Sequence, residues 1–228
     1  MAAKQKKQEP TGRQLPEIPP LDTLLSQTAE TLLSGRPLED ALIENIDLPS
    51  RKILSISARD SIFRNLSFAN CEIGGLHLRD VRLVKCDLSN SLLRGFEATR
   101  VEFIDCRLTG MRAIECRWNS VLVENCEGRY TQLNDAQLRN CEFRGSQFAE
   151  CDLRGSDLEA TIFAHTSLQR ADLTGAKLKS TDLRGADIEG VIAQAGDVRG
   201  AIVSALASDG FSAPAWPRYP IALFASPA

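Results

Sequence analysis

A period of five residues runs without a slip from about residue 46 to residue 205. Neither the 3.6-residue period of a helix nor the alternation of an ordinary strand produces such a pattern. Its clearest copies are ADLTG at 171–175, CDLRG at 151–155 and TDLRG at 181–185. With the third residue of each unit taken as its centre, 27 of 32 successive centres are Leu, Ile, Phe, Val or Trp, the exceptions being Ala58, Ala98, Ala113, Gly128 and Ala193. The residue two before each centre is mostly small or apolar, and the residue two after is Gly, Asn, Asp or Ser in 22 of the 32 units. A chain with these habits turns a corner every five residues. It points two side chains per unit inward and places turn-tolerant backbone at each corner.

Units reading small residue, Asp, Leu and two variable positions, as in 171–175 and 181–185, resemble the pentapeptide repeat family over about 160 of the 228 residues. The resemblance implies an all-β solenoid, a right-handed quadrilateral parallel β-helix in which four corners close each 20-residue coil. About eight such coils, stacked at the strand spacing of about 4.8 Å, give a rod of roughly 38 Å. The expected organisation is a disordered tail at 1–20, a helical N-terminal cap at 21–45, the β-helix at 46–205 and a C-terminal cap or dimerisation segment at 206–228. In the N-terminal cap, residues 22–34 carry apolar residues at helical spacing, with Asp22 as N-cap and Gly35 as stop. A second short helical pattern starts at Pro37 and runs through Leu42.

All seven cysteines (Cys71, Cys86, Cys106, Cys116, Cys126, Cys141 and Cys151) fall on the inward position two before a centre. They read as small hydrophobic core residues, and their odd count argues against a disulfide framework. Cys86, Cys106 and Cys126, spaced by 20, should form a ladder on one wall; no His or carboxylate shares their register to complete a metal shell. Trp118 sits at a centre, and the small centres Ala98, Ala113 and Gly128 read as compensating its volume.

Chemistry is thinly represented. The two histidines, His77 and His165, lie outward on different coils, and carboxylates beside the centres are often followed by Arg, as in Asp152 with Arg154. No phosphate loop, nucleophile elbow or metal motif is present, so the expectation is a non-enzyme with no cofactor and no metal. The best-known branch of the resembling family binds type II topoisomerases such as DNA gyrase by imitating DNA with an acidic rod. Residues 46–205 carry 22 acidic and 21 basic side chains, which disfavours that reading without removing it. Nucleic-acid binding is not expected, for want of a basic stripe. No apolar run is long enough for a membrane span, and a cytoplasmic location is the expectation.

One outward feature stands apart. Large aliphatic residues beside the centres gather on one opposing pair of walls, and six of them, Ile62, Val84, Ile104, Leu122, Ile162 and Ile202, belong to a single wall. Read as solvent-facing, they form a candidate interaction stripe. Phe211, Trp216, Tyr219 and Phe224, set among prolines near the C-terminus, are candidates for plugging the last coil or joining two rods. The function read from the sequence is a non-catalytic protein–protein interaction rod, with a protein partner that includes a second copy of the chain as a candidate.

Overall fold

The computed structural model of the chain describes residues 12–203. Its core is a parallel β-solenoid in which every rung pairs with the one 20 residues on. The column Leu42, Ile62, Arg82, Glu102, Leu122, Glu142, Ile162, Asp182, Ile202 is continuous through these pairings. Three strands, Ile56–Arg64, Leu76–Val84 and Phe96–Ile104, run unbroken around a corner and pair along their whole length. The remaining walls are built from strands of two to four residues and single bridges.

The five-residue unit is legible in the backbone. The centre and the residue two before it are buried, as at Cys71 with Ile73 and Cys151 with Leu153, while their neighbours face out. The residue two after the centre takes positive φ: 22 non-glycine residues among the described ones do so, including Asn70, Asn90 and Asn125, together with Gly95, Gly155 and Gly185. At many corners the N–H three residues past the centre donates to the centre's carbonyl, as Cys71 does to Phe68 and Met111 to Leu108. A turn with positive φ at its third residue follows the type II pattern, which explains the demand for Gly, Asn and Asp there.

The inward position two before each centre is polar in many units, and each such group finds a partner. The hydroxyls of Thr131, Ser146, Ser156, Thr161, Thr166 and Thr181 all donate to a carbonyl 23 residues earlier. Cys71, Cys86, Cys106 and Cys126 use the same geometry, with Cys71 Sγ 2.7 Å from the Leu48 carbonyl oxygen. Small thiols and hydroxyls both fill this slot, the hydroxyl bonds contributing about 1 kcal/mol each net and the thiols acting as weaker donors.

Two parts of the expected layout differ. Residues 21–45 are not a helical cap: only Ala29–Leu33 is α-helical, its N-cap is Thr28, and Asp22 lies in a 3-10 turn at Leu21–Thr23. The second helical pattern is instead the strands Leu38–Glu39 and Ala41–Glu44, which pair with residues 20 further on. The five-residue frame simply starts earlier, with Leu38 and Ile43 as buried centres and Asp40 and Asn45 at positive φ. The short helix does close the first rungs, burying Leu32 and packing Ala29 and Leu33 against the core.

The second difference concerns residues 12–20, expected as part of a disordered tail. They run along one wall as an extended strap that buries Arg13 and crosses the Asp80 corner, where the Glu17 N–H donates to Asp80 Oδ1 at 3.0 Å. Pro16, Pro19 and Pro20 favour this conformation and bring no N–H groups that need partners.

Volume compensation is local and column by column. Trp118 pairs in register with Ala98 and packs on Phe96 and Phe103, with ring centroids 5.3 and 5.6 Å away. Gly128 compensates a different ring, because a Cβ there would overlap Phe148. Phe148 is itself fixed edge-on to Phe143, which stacks on Phe163. Gly128→Ala is expected to destabilise the rod by about 1–3 kcal/mol through overpacking, read as a lowered midpoint in urea; an unchanged midpoint would mean that the column yields freely.

Candidate interaction surface

The six residues of the sequence-defined stripe share a wall but not one continuous exposed surface. Ile62, Leu122, Ile162 and Ile202 stand in the column already traced, where Arg82, Glu102, Glu142 and Asp182 interrupt them. Val84 and Ile104 occupy consecutive rungs of the neighbouring column, on the other side of the centres. Ile62 and Leu122 are buried, at 6% and 4% exposure, which corrects the reading of these two as solvent-facing. Val84, Ile104 and Ile162 are half-buried, and Ile202 is exposed. Phe211, Trp216, Tyr219 and Phe224 lie outside the described residues.

The strap accounts for the correction at Leu122. Leu122 sits between Glu102 and Glu142 in its column. Arg13 reaches both carboxylates, with Nη1 3.5 Å from Glu102 and Nε 3.9 Å from Glu142, so the strap passes over Leu122. The Arg13 side chain is 1% exposed and those of Glu102 and Glu142 are 7% and 4% exposed. Each carboxylate also holds a partner within the wall: Arg82 Nε donates to Glu102 at 2.8 Å, and Arg144 to Glu142 at 2.6 and 3.0 Å. No helix signal or repeat frame announces this contact in the sequence. Its only trace is an arginine followed within seven residues by three prolines, interleaved with Leu15 and Ile18.

Elsewhere the outward columns pair charges from rung to rung. Arg59 with Glu39, Arg64 with Glu44, Arg100 with Asp80, Arg117 with Glu97, Arg144 with Glu124 and Arg170 with Glu150 are all ion pairs between residues 20 apart. Within single units, the Arg154 side chain holds the Asp152 carboxyl below the usual carboxylate range. Most of these pairs are solvent-exposed and individually weak. Their structural consequence is that many of the rod's carboxylates are held by an arginine, while the corner column Asp40, Asp60 and Asp80 stacks like charges, and burial together with these neighbours raises Asp60. His77 pairs with Glu97 at 3.4 Å, while His165 occupies a corner at positive φ far along the rod. A shallow depression between Arg139, Asp157, Glu159, Lys177, Lys179 and Arg199 is likewise of mixed charge. Among the described residues, no helix is long and apolar enough to cross a membrane.

The cysteines are buried free thiols. Cys106 N–H donates to Cys126 Sγ at 3.3 Å, so the ladder spaced by 20 residues is in contact. Burial pushes Cys141 and Cys151 up to about 12. The Cys86 thiol is raised further by its hydrogen bond with Cys106 and by burial. Thiols held protonated and enclosed react slowly. Ellman's reagent in mildly alkaline buffer is expected to modify none of the seven rapidly in the native chain and all seven in guanidinium; a fast native phase would place a thiol at the surface.

Comparison with known proteins agrees with this geometry. Residues 76–147 match the profile described as pentapeptide repeat region, and 131–164 and 151–190 match pentapeptide repeats (8 copies). The chain belongs to the pentapeptide repeat family, and its fold is that family's right-handed quadrilateral β-helix. Among solved structures, it is similar to a trypsin-treated form of QnrB1, a plasmid-mediated fluoroquinolone resistance protein. That match has 13% identity and a TM-score of 0.36, covering 73% of this chain and 93% of the other. It is also similar to HetL from the cyanobacterium Nostoc sp. strain PCC 7120, a pentapeptide repeat protein involved in heterocyst differentiation regulation, with 18% identity, a TM-score of 0.22, and 75% and 91% coverage. A third similar structure is Rfr23 from the cyanobacterium Cyanothece 51142, with 13% identity, a TM-score of 0.24, and 74% and 91% coverage. No curated protein sequence matches the chain.

Proposed function

We propose that the protein is a non-catalytic protein-binding rod whose contact surface is the wall that carries Val84, Ile104 and the strap. The observation that carries this reading is the rung-to-rung pairing of outward charges. A carboxylate already held by an arginine is a poor general base, and columns of mixed sign are a poor surrogate for a phosphate backbone. What such a wall offers a partner is shape, satisfied polar groups and the adjacent half-exposed side chains of Val84 and Ile104. A rigid solenoid suits that role, since each coil contacts only its neighbours and the outer surface varies freely. The same charge pairing weighs against topoisomerase binding by DNA mimicry, the runner-up.

The test is affinity capture from the source cell lysate with the wild-type chain and with Val84→Arg/Ile104→Arg. Both replaced side chains are outward, so far-UV circular dichroism should be unchanged. A protein retained by the wild type and lost by the variant is the expected result. Recovery of gyrase or topoisomerase IV subunits with both chains, followed by inhibition of supercoiling in vitro, would favour DNA mimicry instead.

A further inference from the structure

The strap lies on a built site. Arg13 is fully buried against two carboxylates that are themselves almost fully buried, over a leucine that would otherwise face solvent. Four residues on, the Glu17 backbone donates to Asp80, whose carboxylate is buried and also takes a fork of hydrogen bonds from Arg100. This is how a groove reads an extended peptide: one backbone hydrogen bond for register, one buried side chain for specificity. Arginine suits the pocket because its planar fork can face two carboxylates at once.

The wall is also arranged to survive without the strap. Were Arg13 the only partner of Glu102 and Glu142, its departure would leave two buried charges unpaired, at a cost of several kcal/mol. Arg82 and Arg144 already hold those carboxylates, and at shorter distances than Arg13 does. Asp80 keeps Arg100 in the same way. The strap is joined to the first rung through Pro19 and Pro20, so it can leave the wall without disturbing a coil.

We propose that the groove over Leu122, between Glu102 and Glu142 and ending at Asp80, is a binding site for extended arginine-bearing peptide segments of partner proteins. In the resting chain, residues 12–20 occupy it as an internal pseudo-ligand. The partner segment presents an arginine in place of Arg13 and an open backbone N–H four residues later for Asp80. This deepens the reading of the protein as a binding rod and rests on it. Val84 and Ile104 stand beside the groove on the same wall, and the peptide assay does not use their variant, so failure of the groove leaves the result of the capture experiment standing.

The test uses the full-length chain. Arg13→Ala weakens the internal occupant, and a fluorescent peptide of residues 11–20, TGRQLPEIPP, supplies the arginine in trans. Because a tethered segment competes at an effective concentration on the order of millimolar, the variant is expected to bind the peptide at least about tenfold more tightly than the wild type does. The corresponding peptide with alanine for arginine should not bind. Equal affinity of variant and wild type, or indifference to the peptide's arginine, overturns the proposal. Should the variant fail to fold, hydrogen exchange of the wild type decides. Amides of residues 14–18 exchanging orders of magnitude faster than those of the strands Leu76–Val84 and Phe96–Ile104 support a releasable strap; exchange of both only through global unfolding overturns it.

Discussion

The backbone hydrogen bonds between rungs 20 residues apart constrain everything else in this molecule. Because the pairing is parallel and in register, each side chain stacks on its counterparts 20 residues before and after, at a spacing of about 4.8 Å. A residue is therefore selected for the column it stands in as much as for its own unit. Trp118 is accommodated by Ala98 in the rung before it, and Phe148 by Gly128. Outward charges follow the columns in part: Arg64 with Glu44 and Arg144 with Glu124 alternate between rungs, whereas Arg59 stands on Arg79 and Asp152 on Asp172.

Inside the rod, the slot two residues before each centre faces a carbonyl of the preceding coil. Thr161 and Thr181 fill it with hydroxyls, Cys71 and Cys126 with thiols, and Ala171 with a methyl group. The shared geometry explains why seven cysteines fall in one register without forming a chemical site. A buried hydroxyl in this slot would cost about 1–3 kcal/mol if unpaired, and its regular partner removes that penalty. The slot selects for size first and tolerates any weak donor.

Those rules are local to the repeat, which decides what can be read from sequence. The inward register of Cys86, Cys106 and Cys126 and the corner role of Asn70 and Gly155 follow from the five-residue frame, while the four-sided parallel stacking comes from the resemblance to the family. The start of the solenoid is less legible, because Leu38, Ala41 and Leu42 are spaced as a short helix would space them, and only the pairing with later rungs decides. The strap was illegible for a different reason. It follows no frame, and its partners lie far along the chain, Asp80 63 residues from Glu17 and Glu102 89 residues from Arg13. Hence Leu122 shares a wall with Ile104 as its spacing implies, yet is buried.

The energetics of the two contact types separate structure from recognition. A coil cannot leave the rod without breaking a full rung of backbone hydrogen bonds and exposing its share of the continuous core. The contacts that hold the strap include the Glu17 backbone hydrogen bond to Asp80, two long ion pairs from Arg13 and the cover it gives Leu122. A buried ion pair roughly breaks even against the desolvation it requires, so the net hold on Arg13 rests mainly on apolar burial and on geometry. Local opening at such a place is far cheaper than opening of the rod, and elements that exchange partners are drawn from the low-stability end of a fold. Within this rigid solenoid, the wall under the strap therefore combines a fixed, pre-paired set of charges with a cover that can be removed, and those are the physical requirements of a recognition surface.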